Sequence, residues 1–263
     1  MGISEELENI YSYYNDKKYV HPDPLEFLYD YKELKDREIV GIISALLAYG
    51  RVAQILKSIT SILKVIQDPY DFLVNVKEDH IKELFKGFVH RFTTDHEIIS
   101  LLIALKKIIG RYKTIGECFY SVYNSNDENI LNSLNRFIKI IGSEINNNFN
   151  SLVSKPDGNS AYKRFNLYLR WMVRKDNVDP GGWDFIPKSK LLIPLDVHMY
   201  KICCKFDFTR RKQAGIKSVI EITDCFRKIN AEDPVKYDFA LTRTSMHDKE
   251  RLDILFNNCK NFL

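Results

Sequence analysis

The sequence predicts an all-α protein, and three observations carry that expectation. Eleven glycines and eight prolines in 263 residues leave long stretches without a chain breaker. Through most of those stretches apolar residues recur at three- and four-residue spacing, the period of a helix with one buried face. Alternating apolar runs, the mark of half-buried strands, are few. At 45% hydrophobic and 28% charged the composition is that of a globular protein, and the length suits one large domain or two small lobes.

In chain order, residues 4–19 read as a polar-aromatic helix with Leu7, Ile10, Tyr11 and Tyr14 on one face. HPDPLEFLYDY starts a second, with Pro24 in its first turn. Ile39, Val40, Ile42, Ile43, Leu46 and Leu47 place a helix over 36–49, with Asp36 as N-cap and Gly50 as its stop. Another spans 52–66, ended by Gln67-Asp68-Pro69. The join between these two, AYGRVAQ, sets Tyr49, Gly50, Arg51 and Gln54 at a bend that can aim side chains at a ligand; a plain helical corner fits the same residues. Helices continue over 70–77, 80–85, 96–110, 115–123 and 128–141, with no fixed repeat period, which sets a solenoid aside. A helix over 161–174 carries Ala161, Phe165, Tyr168, Leu169 and Met172 as its core stripe. Asp196 caps a further helix whose Val197, Tyr200 and Cys204 face inward, and others begin near Gly215 and at Asp233-Pro234.

Several function classes fall away. MGISEELENI is acidic and lacks the apolar segment of a signal peptide, and no uncharged apolar run approaches the roughly 20 residues of a membrane span. A cytoplasmic protein is expected. Cys118, Cys203, Cys204, Cys225 and Cys259 are scattered and odd in number, so free thiols are expected rather than a disulfide framework or a metal cluster. Asp95-His96 and His247-Asp248 lack supporting ligands at useful spacing, so no metal is expected. Residues 1–149 carry 18 Lys+Arg against 21 Asp+Glu, a net of −3; residues 150–263 carry 21 against 14, a net of +7. A basic half suits a polyanionic partner, though lysine-rich solvated helices give a similar count.

The chemistry-bearing stretch is 155–209. Lys155-Pro156-Asp157-Gly158 makes a turn between a polar helix end and the helix over 161–174, which Asn159 or Ser160 can cap. Backbone N–H groups at such a turn and helix start can hold a phosphate. Lys163 lies in the first turn and off the core stripe. The positive end of the helix dipole disfavours an ammonium there and favours a free amine, the form that attacks carbon. VDPGGWDF sets Trp183 on a loop, either as a core anchor or as a stacking surface. Asp196, after Leu191, Leu192, Ile193, Pro194 and Leu195, is expected to be partly buried, and capping and chemistry are compatible roles for it. Taken alone, Lys163 and Asp196 also fit two ordinary surface charges.

A turn before a helix-entrance lysine, then Pro194-Leu195-Asp196-Val197-His198, resembles the helix-hairpin-helix DNA glycosylase superfamily. The separation 196 − 163 = 33 residues is similar to that of the archaeal 8-oxoguanine glycosylase branch. With ALLAYGR, KRFNLYLRWMVR, LIPLDVHMYK and DPVKYDFAL, the whole chain looks most like an uncharacterised bacterial family joined to that superfamily by similarity. Two departures stand out: KPDGNS lacks the usual Gly-x-Gly pair, and no four-cysteine cluster follows Asp196, which excludes the iron–sulfur subgroup.

The resemblance implies one two-lobed helical domain over 1–263, with lobes 30–150 and 151–263, residues 1–29 packing on the C-terminal lobe, and a cleft between the lobes. It implies a monomer acting on double-stranded DNA with a damaged base, without cofactor. The reaction implied is base excision of an oxidised purine such as 8-oxoguanine, with AP lyase activity. Lys163 and Asp196 become catalytic, and Gly158, Asn159, Ser160, Arg164, His198, Arg210, Arg211 and Lys212 contact nucleic acid. Tyr49, Phe165, Trp171 and Trp183 are the stacking pool, and Arg51 or Gln54 fills the space left by a flipped base. A non-catalytic nucleic-acid-binding protein on the same scaffold is the rival, and a helical protein-binding domain is a third reading.

Overall fold

A computed structural model describes residues 2–258, and within them the chain is mostly helical with almost no sheet. By contacts it divides into two compact units: Pro22–Gly158, and Asn159 onward together with the chain up to His21. No helix among the described residues is long and apolar enough to cross a membrane. Cys118, Cys203, Cys204 and Cys225 are free thiols, and Cys259 lies outside the described residues.

The unit Pro22–Gly158 opens with a 3-10 turn, Pro24–Asp30, packed on α2 (Leu34–Leu46). Nine consecutive residues of α2, Glu38 to Leu46, are buried, so this helix is the centre of its unit. Glu38 enters the core because its carboxylate accepts the Gly116 N–H at 3.0 Å. α3 (Val52–Val65), α4 (Pro69–Asn75) and α7 (Ile115–Val122) pack on it, and α6 (Asp95–Tyr112) packs in turn on α4, α5 (Glu78–Leu84), α7 and α8 (Leu131–Glu144). The expected cap Asp36 lies inside α2 instead, and its carboxylate accepts the Tyr70 N–H at 2.8 Å, tying α4 to α2. One hairpin, β1 (Val89–His90) with β2 (Thr93–Thr94), precedes α6. A capping box of Thr94 and Glu97 fixes the start of α6.

The other unit holds α1 (Ile3–Tyr14), α9 (Lys163–Val173), α10 (Val197–Lys205), α11 (Ile216–Ile229), α12 (Asp238–His247) and α13 (Lys249–Asn258). α1 packs on α12, with Leu7 and Ile10 buried and Glu8 accepting from Lys236 at 2.7 Å and from the Tyr237 hydroxyl at 2.6 Å. α12 begins at Asp238 rather than Asp233-Pro234, because 233–237 form a turn that closes onto the Asp233 carbonyl. On α10 the buried residues are Met199, Ile202 and Cys203, whereas Val197 is exposed and Tyr200 and Cys204 are half-buried. The inward face is therefore rotated from the one expected.

The connection before α9 also differs from expectation. α8 ends at Glu144, and residues 145–162 run as successive turns, with Asn146, Asn147 and Asp157 at positive φ. A tight hairpin between two helices is replaced by a long irregular connection.

Candidate active site at the starts of two helices

Lys163 is the first residue of α9, and neither Asn159 nor Ser160 is its N-cap. That position is taken by Tyr162, a buried aromatic at φ +48°. A bulky residue in the left-handed region costs on the order of 1–3 kcal/mol, so the surroundings must impose it. They do so from both sides. Ser160 Oγ accepts the Tyr162 N–H at 3.2 Å, and the Asn166 amide, itself buried, donates to the Ala161 carbonyl at 3.1 Å. The direction in which Lys163 leaves the backbone is thereby fixed.

Asp196 is the N-cap of α10, as the sequence indicates. Leu191 to Leu195 before it are all buried, and the Ile193 N–H is anchored on Thr223 Oγ1 of α11 at 3.1 Å. The two carboxylate oxygens divide their work: Oδ1 accepts the Met199 N–H at 2.8 Å, while Oδ2 lies 3.9 Å from Lys163 Nζ. The side chains keep 35% and 24% of their exposure, so both are held yet reachable by a ligand.

Behind this pair lies a buried charge network that sequence reasoning missed. Arg170 in the last turn of α9 and Arg174, its C-cap, are both buried. Arg170 reaches Asp179 at 3.1 Å and Asp238 at 2.5 Å. Arg174 reaches Asp233 at 3.0 Å, Asp176 at 2.9 Å, and Asp179 as well. Burial works against charge on Arg174, but Asp179, Asp233 and Asp176 more than offset it and hold the guanidinium charged. Four carboxylates face two guanidiniums: burial raises Asp179 and Asp238 above their ordinary value, while on Asp176 burial is outweighed by Arg174 and the backbone N–H groups of Asp179 and Val178, which lower it. Burial pushes the Asp238 carboxyl up to about 6, Arg170 pulls against the shift, and the charge of Asp196 adds to it. The signal for this network is faint: two arginines four apart followed by Asp-x-x-Asp in RWMVRKDNVD, with the remaining acids far along the chain.

The other predicted residues separate into groups. Asn159, Arg211 and Lys212 line one surface pocket with Gln213, Gly215, Lys217 and Ser218 at the start of α11. Gly215 permits it, since a Cβ there would lie 2.9 Å from the Asn159 carbonyl oxygen. Lys212 and Lys217 make no ion pair among the described residues, while Arg211 pairs with Glu221 at 3.0 Å. Arg210 is exposed and pairs with Asp207, His198 is exposed as the second residue of α10, and Arg164 follows Lys163 half-buried. Gly158 is exposed at the end of the other unit. Phe165, Trp171 and Trp183 are corrections: each is at most 1% exposed, and Trp183 packs edge-on against Tyr168 at 5.3 Å. They are core anchors and leave the stacking pool. In Pro22–Gly158, Tyr49 is also engaged, its hydroxyl donating to the His90 carbonyl at 2.8 Å. Gln54 donates to Ser58 at 3.2 Å, and Arg51 is exposed.

Fold and site together define an all-α protein that sets a reachable lysine against a helix-capping carboxylate. The chain belongs to the family described as protein of unknown function DUF2400, which it matches over residues 23–247. No curated protein and no solved structure matches it significantly.

Proposed function

We propose that the protein is a DNA base-excision glycosylase with AP lyase activity, directed at an oxidised purine such as 8-oxoguanine. The observation that carries this reading is the 3.9 Å approach of Lys163 Nζ to Asp196 Oδ2, two residues far apart in sequence and both at helix starts. The resemblance of PLDVH and its upstream lysine to the helix-hairpin-helix glycosylases supplies the substrate class. A two-lobed fold of that type, with the base flipped into a cleft, belongs to the same proposal.

Each residue then has a task. Lys163, as the free amine, attacks the anomeric carbon of the flipped nucleotide; the C–N glycosidic bond breaks and the base departs with its electron pair and a proton. Asp196, as carboxylate, stabilises the positive charge that develops on the sugar and relays the proton lost by the lysine. The resulting Schiff base permits elimination of the 3′ phosphate. Lys212, Lys217 and Arg211 at the start of α11 offer positive charge for the DNA backbone.

Borohydride trapping on duplexes holding 8-oxoguanine or an abasic site tests the chemistry. A covalent adduct is expected with wild-type protein and none with Lys163→Ala. Asp196→Asn is expected to slow adduct formation by about 100-fold or more, the scale of a lost general acid–base or electrostatic contribution. Wild-type activity in both variants would refute the site.

A second reading has its own observation. The irregular connection 145–162 stands where the glycosylases carry a tight phosphate-binding hairpin. A non-catalytic nucleic-acid-binding protein would bind duplexes and form no adduct with any lesion.

A further inference from the structure

The β1–β2 hairpin presents two large apolar side chains to solvent, Phe92 at 71% and Val89 at 64% exposure. Single exposed apolar residues are ordinary, but a pair held on a rigid support is not. The turn is two residues, Arg91-Phe92, with Arg91 at φ +53°. Its base is braced from below. The buried His90 ring bonds to Ser58 Oγ at 2.9 Å and to the Tyr49 carbonyl at 3.1 Å. The Tyr49 hydroxyl spans both strands, donating to the His90 carbonyl at 2.8 Å and lying 2.7 Å from Thr93 Oγ1. Thr93 Oγ1 in turn lies 3.1 Å from Ser151 Oγ. The tip cannot fold back to hide its apolar side chains.

Cations flank the tip. The Arg91 stem lies over Gly50, where a Cβ would sit 2.4 Å from Arg91 Cδ, and its guanidinium stands 5.5 Å from the Phe92 ring centre. Arg51 and the exposed Val52 extend the surface. Neither Arg51 nor Arg91 makes an ion pair among the described residues. The nearest acids in sequence are spent on backbone: Asp95 accepts from Gly87 at 2.8 Å, and Glu97 accepts from Thr94 at 2.8 Å and from Ser151 at 3.3 Å. A rigid aromatic tip beside the Arg91 guanidinium, with exposed Arg51 adjoining the Gly50 that Arg91 covers, is suited to a partner that is anionic along its backbone and flat and apolar between its charges. That partner is nucleic acid, whose phosphates take the arginines and whose bases stack on, or part around, the ring.

We infer that the β1–β2 tip is a wedge that enters a duplex at an opened base step, with Phe92 and Val89 occupying the gap and Arg51 and Arg91 on the flanking phosphates. This rests on the reading of a nucleic-acid partner but not on the chemistry of Lys163. It also reassigns Tyr49 from stacking partner to brace.

The test is fluorescence anisotropy with the full chain and two duplexes, one fully paired and one with a tetrahydrofuran abasic analogue beside 2-aminopurine. Wild-type protein is expected to prefer the abasic duplex and to change the 2-aminopurine emission. Phe92→Ala is expected to lose about tenfold in affinity for the abasic duplex and the emission change, with an unaltered melting temperature. Arg51→Gln with Arg91→Gln is expected to weaken both duplexes and flatten their salt dependence. Equal abasic affinity in wild type and Phe92→Ala overturns the wedge while leaving Lys163 untouched, and is the outcome if the tip serves a protein or a second copy. Absence of all duplex binding by wild type overturns the nucleic-acid reading together with it.

Discussion

Asp238 shows how a single residue inherits the electrostatics of a whole cluster. Its folded-state carboxyl, raised to about 6 mainly by burial, binds a proton that the unfolded chain releases near its ordinary value of 3.8. Because the shift is upward, the stability this group contributes is complete below about 4 and is lost as the pH rises through about 6. Asp238→Asn, which keeps the neutral form at every pH, is therefore expected to gain stability relative to wild type between pH 4 and pH 7. Urea denaturation of the two proteins at pH 4.5 and 7 measures the difference, and a constant offset would contradict the assignment. Breaking the network from the other side is costly. Arg174→Met leaves Asp176, Asp179 and Asp233 without their shared cation and is expected to destabilise the fold by about 3–5 kcal/mol in thermal or urea unfolding at pH 7. The contrast with Asp196 explains what could be read in advance. Asp196 declares itself locally, through five apolar residues before it and a helical pattern after it. Asp238 depends on residues 170, 179 and 196, which no local window brings together.

At the scale of elements, most helices were legible because burial on one face imposes a period that propensity alone does not. The failures cluster where backbone conformation, rather than periodicity, decides. HRFTT is too short to show a strand alternation, so the sequence shows no sign of the braced hairpin between the helices expected over 80–85 and 96–110. The turns of 145–162 use Asn and Asp at positive φ, which the same asparagines in EINNNFN do not distinguish from a polar helix end. The loop after α9 was recognised as a break, but not its purpose. Gly181 donates to the Trp171 carbonyl at 3.0 Å and Trp183 to the Met172 carbonyl at 2.8 Å, so the loop satisfies carbonyls that the end of α9 leaves open. Gly181 sits at φ +66°, and a Cβ there would lie 2.8 Å from Lys175 Cβ and 3.0 Å from the Arg174 carbonyl oxygen. Gly181→Ala is expected to cost about 1–3 kcal/mol and lower the melting temperature by several degrees. Differential scanning fluorimetry reads this directly, and an unchanged midpoint would show that the loop does not clamp α9.

For the molecule as a whole, the useful quantity is where the positive charge remains after internal pairing. The half over 150–263 carries a net of +7 by count, 21 Lys+Arg against 14 Asp+Glu, but the count hides two populations. Arg170 and Arg174 are consumed within the buried network and present nothing to a partner. Lys212 and Lys217 are exposed and uncompensated among the described residues, at the start of a helix whose dipole adds to their field. Composition therefore pointed to a polyanion without distinguishing these populations, and only the fold separates them. If the surface group meets DNA phosphates, each cation removed subtracts a released counterion. Lys212→Gln with Lys217→Gln is then expected to reduce the slope of log affinity against log salt by about 1.8 for duplex DNA. The loss should be the same for a lesion duplex and its undamaged counterpart, because phosphate contacts carry no base information. Anisotropy titrations from 50 to 200 mM salt, a span of ~0.6 in log salt, resolve a slope change of that size. An unchanged slope would place the DNA backbone elsewhere, and a loss confined to the lesion duplex would assign these lysines to recognition of the damaged base.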